Sequence, residues 1–95
     1  MVVILYHFVA DFMARRQAYR ADHLAHIRAE EKAGRIVAGG ALAESLHKGL
    51  ILYRGSEAEA EAFVEADPYV RAGIVTDHEI GAWSVVVGDR AEVLA

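Results

Sequence analysis

Cysteine is absent from the 95 residues. That one absence excludes disulfides, thiolate metal sites and cysteine nucleophiles. Proline occurs once, at Pro68, and the hydrophobic share is 55%, so disorder is not expected. No apolar run approaches the ~20 residues of a membrane span. The first such run, Val2 to Ala10, has no basic flank and carries Tyr6 and His7, which does not fit a signal peptide. A cytoplasmic location is the resulting expectation. Positive charge is also in short supply. Ten basic against fourteen acidic residues give a formal charge of −4, which speaks against a nucleic-acid partner, since such a partner demands displaced counterions. Several catalytic and cofactor signatures are missing too. Ser45, Ser56 and Ser84 lack a G-x-S-x-G context, there is no H-E-x-x-H string, and Gly39-Gly40 does not form a dinucleotide fingerprint.

What is present fits one domain spanning residues 1–95, with a loose tail from about residue 88. A hydrophobic share of 55% is high for so small a globule and points to a second apolar surface, most simply an oligomer interface. The charges are segregated. Six of the ten basic residues lie between Arg15 and Arg35, and four glutamates lie between Glu57 and Glu65. Two solvated helix faces of opposite sign explain this, and a basic lip for an anionic small molecule is the alternative.

Val2 to Val9 reads as a strand with both faces apolar. A helix follows, from Phe12 or Arg15 to Ala33, capped by Asp11 and closed by Gly34, with an irregularity near Tyr19 to Asp22. Arg35 to Leu42 and Gly49 to Arg54 read as a hairpin, and Gly39-Gly40 marks a bulge or room for a ligand. Ser56 to Ala66 is a helix opened by a Ser56–Glu59 capping box. Asp67-Pro68 opens a short turn that Gly73 closes, and Ile74 to Val87 is a last strand, broken near Gly81. The order β-α-β-β-α-β predicts an α+β, ferredoxin-like fold: a four-stranded antiparallel sheet with both helices on one face. The other face is left apolar and open, and a second copy of the chain is the expected partner.

One helical stretch, Arg20 to Ile27, breaks the amphipathic rule. With Ile27 at the centre of the buried side, Arg20 falls about 20° away, His23 about 40° and Leu24 about 60°. An arginine and a histidine therefore share the sector of the two apolar anchors, while His26 falls about 100° away, toward solvent. His23 is either a satisfied core histidine or the lining of a pocket.

The run R-x-x-H-L at Arg20 to Leu24, then G-R-I-V-A-G-G from Gly34 to Gly40 and D-P-Y-V-R-A-G from Asp67 to Gly73, resembles the YciI-like (YCII-related) family. The resemblance runs from the first strand through Trp83. It departs from the common pattern at Gly39-Gly40 and at Gly81-Ala82-Trp83. The resemblance implies the dimeric α+β barrel arrangement and a histidine–aspartate dyad, here His23 and Asp67. It also implies a small-molecule enzyme that moves a proton in isomerisation or elimination on a small cyclic or aromatic-derived substrate, without a cofactor. The alternative is a non-catalytic small-molecule binding or protein-interaction domain.

Each residue also has a structural reading. Asp67 is well placed as an N-cap before Pro68, and serving both roles requires a carboxylate oxygen to spare. Arg20 either grips an anionic substrate or lays its stem on apolar surface and pairs with Asp67 or Glu31. Tyr69 either offers its hydroxyl to a ligand or packs as an aromatic. His23, His26 and His7 are the only plausible metal cluster, and no metal is expected there. His47 and His78 are expected to be exposed.

Overall fold

The computed structural model describes residues 1–44 and 47–88. The tail expected from Asp89 to Ala95 lies outside the described residues. Alternation along β1 (Val2–Phe8) sets the layers. Val2, Ile4 and Tyr6 are buried on one face, whereas Val3, Leu5 and His7 are half-buried on the other. β1 lies between β3 (Lys48–Tyr53) and β4 (Val75–Ala82), and β2 (Ile36–Ala41) pairs with the far side of β3. Every pair is antiparallel, in the ferredoxin-like order β2-β3-β1-β4.

The long first helix is three pieces. They are α1 (Phe12–Arg15), a 3-10 turn (Arg16–Ala18) and α2 (Arg20–Lys32), with the break at Tyr19 inside the stretch where irregularity was expected. Phe12 accounts for the interruption. It is buried and stacked on Phe8 at 4.1 Å between ring centres, which ties α1 to the end of β1 before α2 begins. The Asp11 side chain makes no capping bond. Its backbone carbonyl accepts from Ala14 and Arg15 instead. At the other end Gly34 takes the left-handed conformation that closes α2, at φ 83°. Glu30 then binds Arg35 twice, at 2.6 and 3.1 Å, and accepts from the Tyr53 hydroxyl at 3.1 Å. Those bonds, the Arg35 guanidinium first, hold the Glu30 carboxyl below its ordinary range and fasten the end of α2 to β2 and β3.

α3 (Glu57–Ala66) has the full capping box between Ser56 and Glu59 and buries Ala60, Phe63 and Val64 on the sheet. α4 (Pro68–Arg71) follows at once, with Asp67 as its cap and Pro68 in its first turn. β4 ends at Ala82, earlier than the sequence suggests. Its register partner there is Val2, the first residue of β1, and beyond that pair only the Trp83 N–H continues, donating to the Met1 carbonyl at 2.8 Å. Gly81 does not break it and pairs with Val3. On β2 the register shift falls between Ile36 and Ala38, not at the glycines. No helix among the described residues is long and apolar enough to cross a membrane.

Gly49 shows how closely the helix-side face is packed. A β-carbon there would lie 2.8 Å from Cζ of Phe8, whose ring is held by Phe12. Gly49→Ala should therefore destabilise the protein by about 1–3 kcal/mol through overpacking. Thermal unfolding measures this, and an unchanged midpoint would show that Phe8 is free to move.

Candidate active site

α2 brings only two large apolar side chains, Leu24 and Ile27, toward the sheet, and none of its residues is fully buried. It stands off from the strands, and a cleft of about 360 Å³ occupies the gap. Arg20, His23, Leu24 and Ile27 line it from the helix, while Ile36, Gly39 and Ile51 line it from the sheet. The sector that mixed polar with apolar anchors is thus the lining of a cleft.

Asp67 sits at the junction of α3 and α4 with no solvent exposure. It is the one buried charged side chain among the described residues. Its Oδ1 accepts from the backbone N–H of Tyr69 at 3.0 Å, which is the capping bond. The same oxygen lies 2.8 Å from Nδ1 of His23, and Oδ2 accepts from the Tyr6 hydroxyl at 2.8 Å. Capping and the histidine contact therefore share one oxygen, and the spare one is taken by Tyr6. With two other donors aimed at it, the carboxylate is the acceptor throughout, which assigns the proton between the pair to His23 Nδ1. Neutral His23 then carries its lone pair on Nε2. That atom makes no hydrogen bond among the described residues, and the ring lines the cleft with 12% of the side chain exposed. The ring is fixed a second way, stacked on Tyr69 at 3.7 Å and 4°. Burial first, and the Asp67 carboxylate second, push the Tyr6 phenol far above its ordinary range, so it stays a donor.

Arg20 lines the cleft mouth, is exposed, and pairs with neither Asp67 nor Glu31 among the described residues. Arg16 lies beside it, its guanidinium 5.2 Å from the centre of the Phe12 ring. Tyr69 is 2% exposed; its ring packs on His23, and its hydroxyl has no hydrogen-bond partner.

Tyr6 is the site residue that reading the sequence missed. Its signal was weak: a tyrosine on the buried side of a strand needs a partner for its hydroxyl, and among the described residues Asp67 is the only buried acid it could meet. His26 is a correction. It does not point to solvent but stacks on Phe63 at 4.6 Å and bonds the Phe63 carbonyl at 2.9 Å, because α3 lies against that side of α2. His78 is half-buried rather than exposed, 2.9 Å from Glu61. His47 is exposed. His7 sits on the opposite face of the sheet with Glu79, so the three histidines weighed as metal ligands are directed at three different partners.

Among solved structures, 5-chloro-2-hydroxyhydroquinone dehydrochlorinase from Burkholderia phenoliruptrix AC1100, in complex with 2,5-dihydroxybenzoquinone, matches with a TM-score of 0.73. The match covers 87% of this chain and 93% of that one at 22% identity, a likeness of fold. No curated protein matches the sequence. The family model of the YCII-related domain matches residues 1–84, a span that holds every residue of the His23–Asp67 cleft. The chain belongs to the YCII-related domain family.

Proposed function

We propose that the protein is a cofactor-independent enzyme that transfers a proton on a small cyclic or aromatic-derived substrate, in an isomerisation or an elimination. The observation that carries this reading is the His23–Asp67 contact, in which a wholly buried carboxylate holds Nδ1 and leaves Nε2 without a protein partner beside the cleft. Nε2 takes a proton from the substrate. The electrons of the broken bond form a new double bond, and either a leaving group departs with its own pair or the proton returns at another carbon. Asp67 stabilises the imidazolium formed in between and keeps the ring in one tautomer. Arg20, unpaired among the described residues, holds an anionic substituent. The fold shared with a dehydrochlorinase that binds a dihydroxybenzoquinone is consistent with such a substrate.

The reading takes the enzyme as a cytoplasmic homodimer. Val3 pairs with Leu52 and Leu5 with Leu50, which places four apolar residues together on the face the helices leave open, and Leu50 is 46% exposed. The face of a second copy supplies the same apolar row, and joining the two removes both from water.

Three outcomes test this account. Wild-type protein should turn over at least one member of a panel of lactones, catechols and chlorinated hydroxyquinols. His23→Gln should lower that rate about 10²- to 10⁴-fold while remaining folded; a rate within a few-fold of wild type would remove His23 from the chemistry. Leu50→Glu should give a monomer by light scattering, and an unchanged mass in both proteins would place no partner on that face. The third outcome concerns alkaline pH. Tyr6 has a raised pKa in the folded state, so its contribution to stability is complete below the unfolded tyrosine value of about 10 and is lost as pH rises beyond it. The midpoint advantage of wild type over Tyr6→Phe should hold steady from pH 7 to 9 and shrink above pH 10, whereas a constant gap would mean that Tyr6 ionises as freely folded as unfolded.

A further inference from the structure

Among the buried polar side-chain atoms of the described residues, one lacks a hydrogen-bond partner: the hydroxyl of Tyr69. Leaving such a group unmade is unfavourable, whereas phenylalanine in the same place would pack the same ring without the loss. The ring itself has a structural task, since it stacks on His23 and meets Phe12 edge-on at 6.0 Å. The hydroxyl has none. Tyr69 lines the same cleft as His23, and the two rings lie parallel with their centres 3.7 Å apart, so a ligand that meets the imidazole edge also lies beside the phenol.

The surroundings narrow what brings that oxygen. Phe8 and Phe12 present a stacked aromatic pair to the cleft, which suits a flat ring. Arg16 and Arg20 stand at the cleft with Glu31 as the one exposed acid, so an anionic ring is favoured over a cationic one. We propose that the Tyr69 hydroxyl is a substrate-binding group that donates to an oxygen of a hydroxylated, anionic ring held beside His23. This rests on the proton-transfer reading above and goes further by naming the substrate class and the donor that recognises it. When His23 takes its proton from the ring, the negative charge that gathers on the neighbouring ring oxygen is stabilised by the Tyr69 hydroxyl, while the arginines balance it. Tyr69 thus discriminates between a ring that carries oxygen at that position and one that does not.

Tyr69→Phe separates this role from packing. In the protein without ligand, its unfolding midpoint should equal or exceed that of wild type, because the lost hydroxyl had no partner; a fall of several degrees would show that the hydroxyl is a structural bond and overturn the proposal. Catechol and 2,5-dihydroxybenzoquinone serve as binding probes, read by calorimetry, with benzene-1,3-disulfonate as an anionic ring lacking hydroxyl groups. Wild type should bind at least one hydroxylated probe, and Tyr69→Phe should weaken that binding roughly ten- to a hundredfold, as expected for a bond to a charged oxygen. Binding of neither hydroxylated probe, equal affinity in both proteins, or an equal loss for the disulfonate would each overturn it. Failure of the enzyme reading looks different. There, Tyr69→Phe weakens probe binding as expected while neither protein turns the probe over.

Discussion

A carboxylate taken wholly out of water must find donors, and meeting that demand at Asp67 organises much of this molecule. The donors come from β1, α2 and the first turn of α4: the Tyr6 hydroxyl, His23 Nδ1 and the Tyr69 backbone N–H. Positions 6, 23, 67 and 69 are thereby drawn to one point behind the cleft. A buried charge that loses its partner costs several kcal/mol, about 3–5 when a pair is broken outright. The arrangement therefore reinforces itself: burying Asp67 favours the conformation in which His23 and Tyr6 face it. That constraint orients His23 without help from substrate, and orientation held in advance is what general acid–base chemistry requires.

The cleft exists because α2 is poorly amphipathic. A helix with a full apolar stripe would close onto the sheet. This one presents Leu24 and Ile27 with Arg20 between them and His23 beside Ile27, so it is held at its ends instead. Glu30, Arg35 and Tyr53 fasten its C-terminus, and Phe12 fixes the segment before its N-terminus. On the other side of the sheet the balance is reversed. Val3, Leu5, Leu50 and Leu52 form an apolar row that no helix among the described residues covers. The surplus hydrophobic content visible in the composition is thus placed on the sheet face opposite the helices, away from the site.

The strand order, the capping box and the cap at Asp67 were legible because each is local: alternation, a serine three residues before a glutamate, an aspartate before a proline. The meeting of His23 and Asp67, 44 residues apart, was not contained in any such pattern and rested on resemblance to a family. Tyr6 escaped notice because alternation assigns a face but not a partner for a hydroxyl. His26 was misplaced for a related reason. The helical wheel measured its angle from the sheet and had no knowledge that α3 would cover that flank and offer the Phe63 carbonyl. The extent of β4 failed similarly, since a strand ends where its neighbour does, and the sequence past Ala82 is apolar enough to suggest otherwise.

The central claim is that Asp67 holds the proton of His23 on Nδ1 and leaves Nε2 as the base. Two-bond nitrogen–proton correlation spectra of the His23 imidazole, recorded on the unliganded protein at a pH where the ring is neutral, test it most directly. A protonated Nδ1 and a bare Nε2 are the expected result. A His23 protonated on Nε2 instead would mean that Asp67 donates rather than accepts, and would contradict the assignment of His23 as the base.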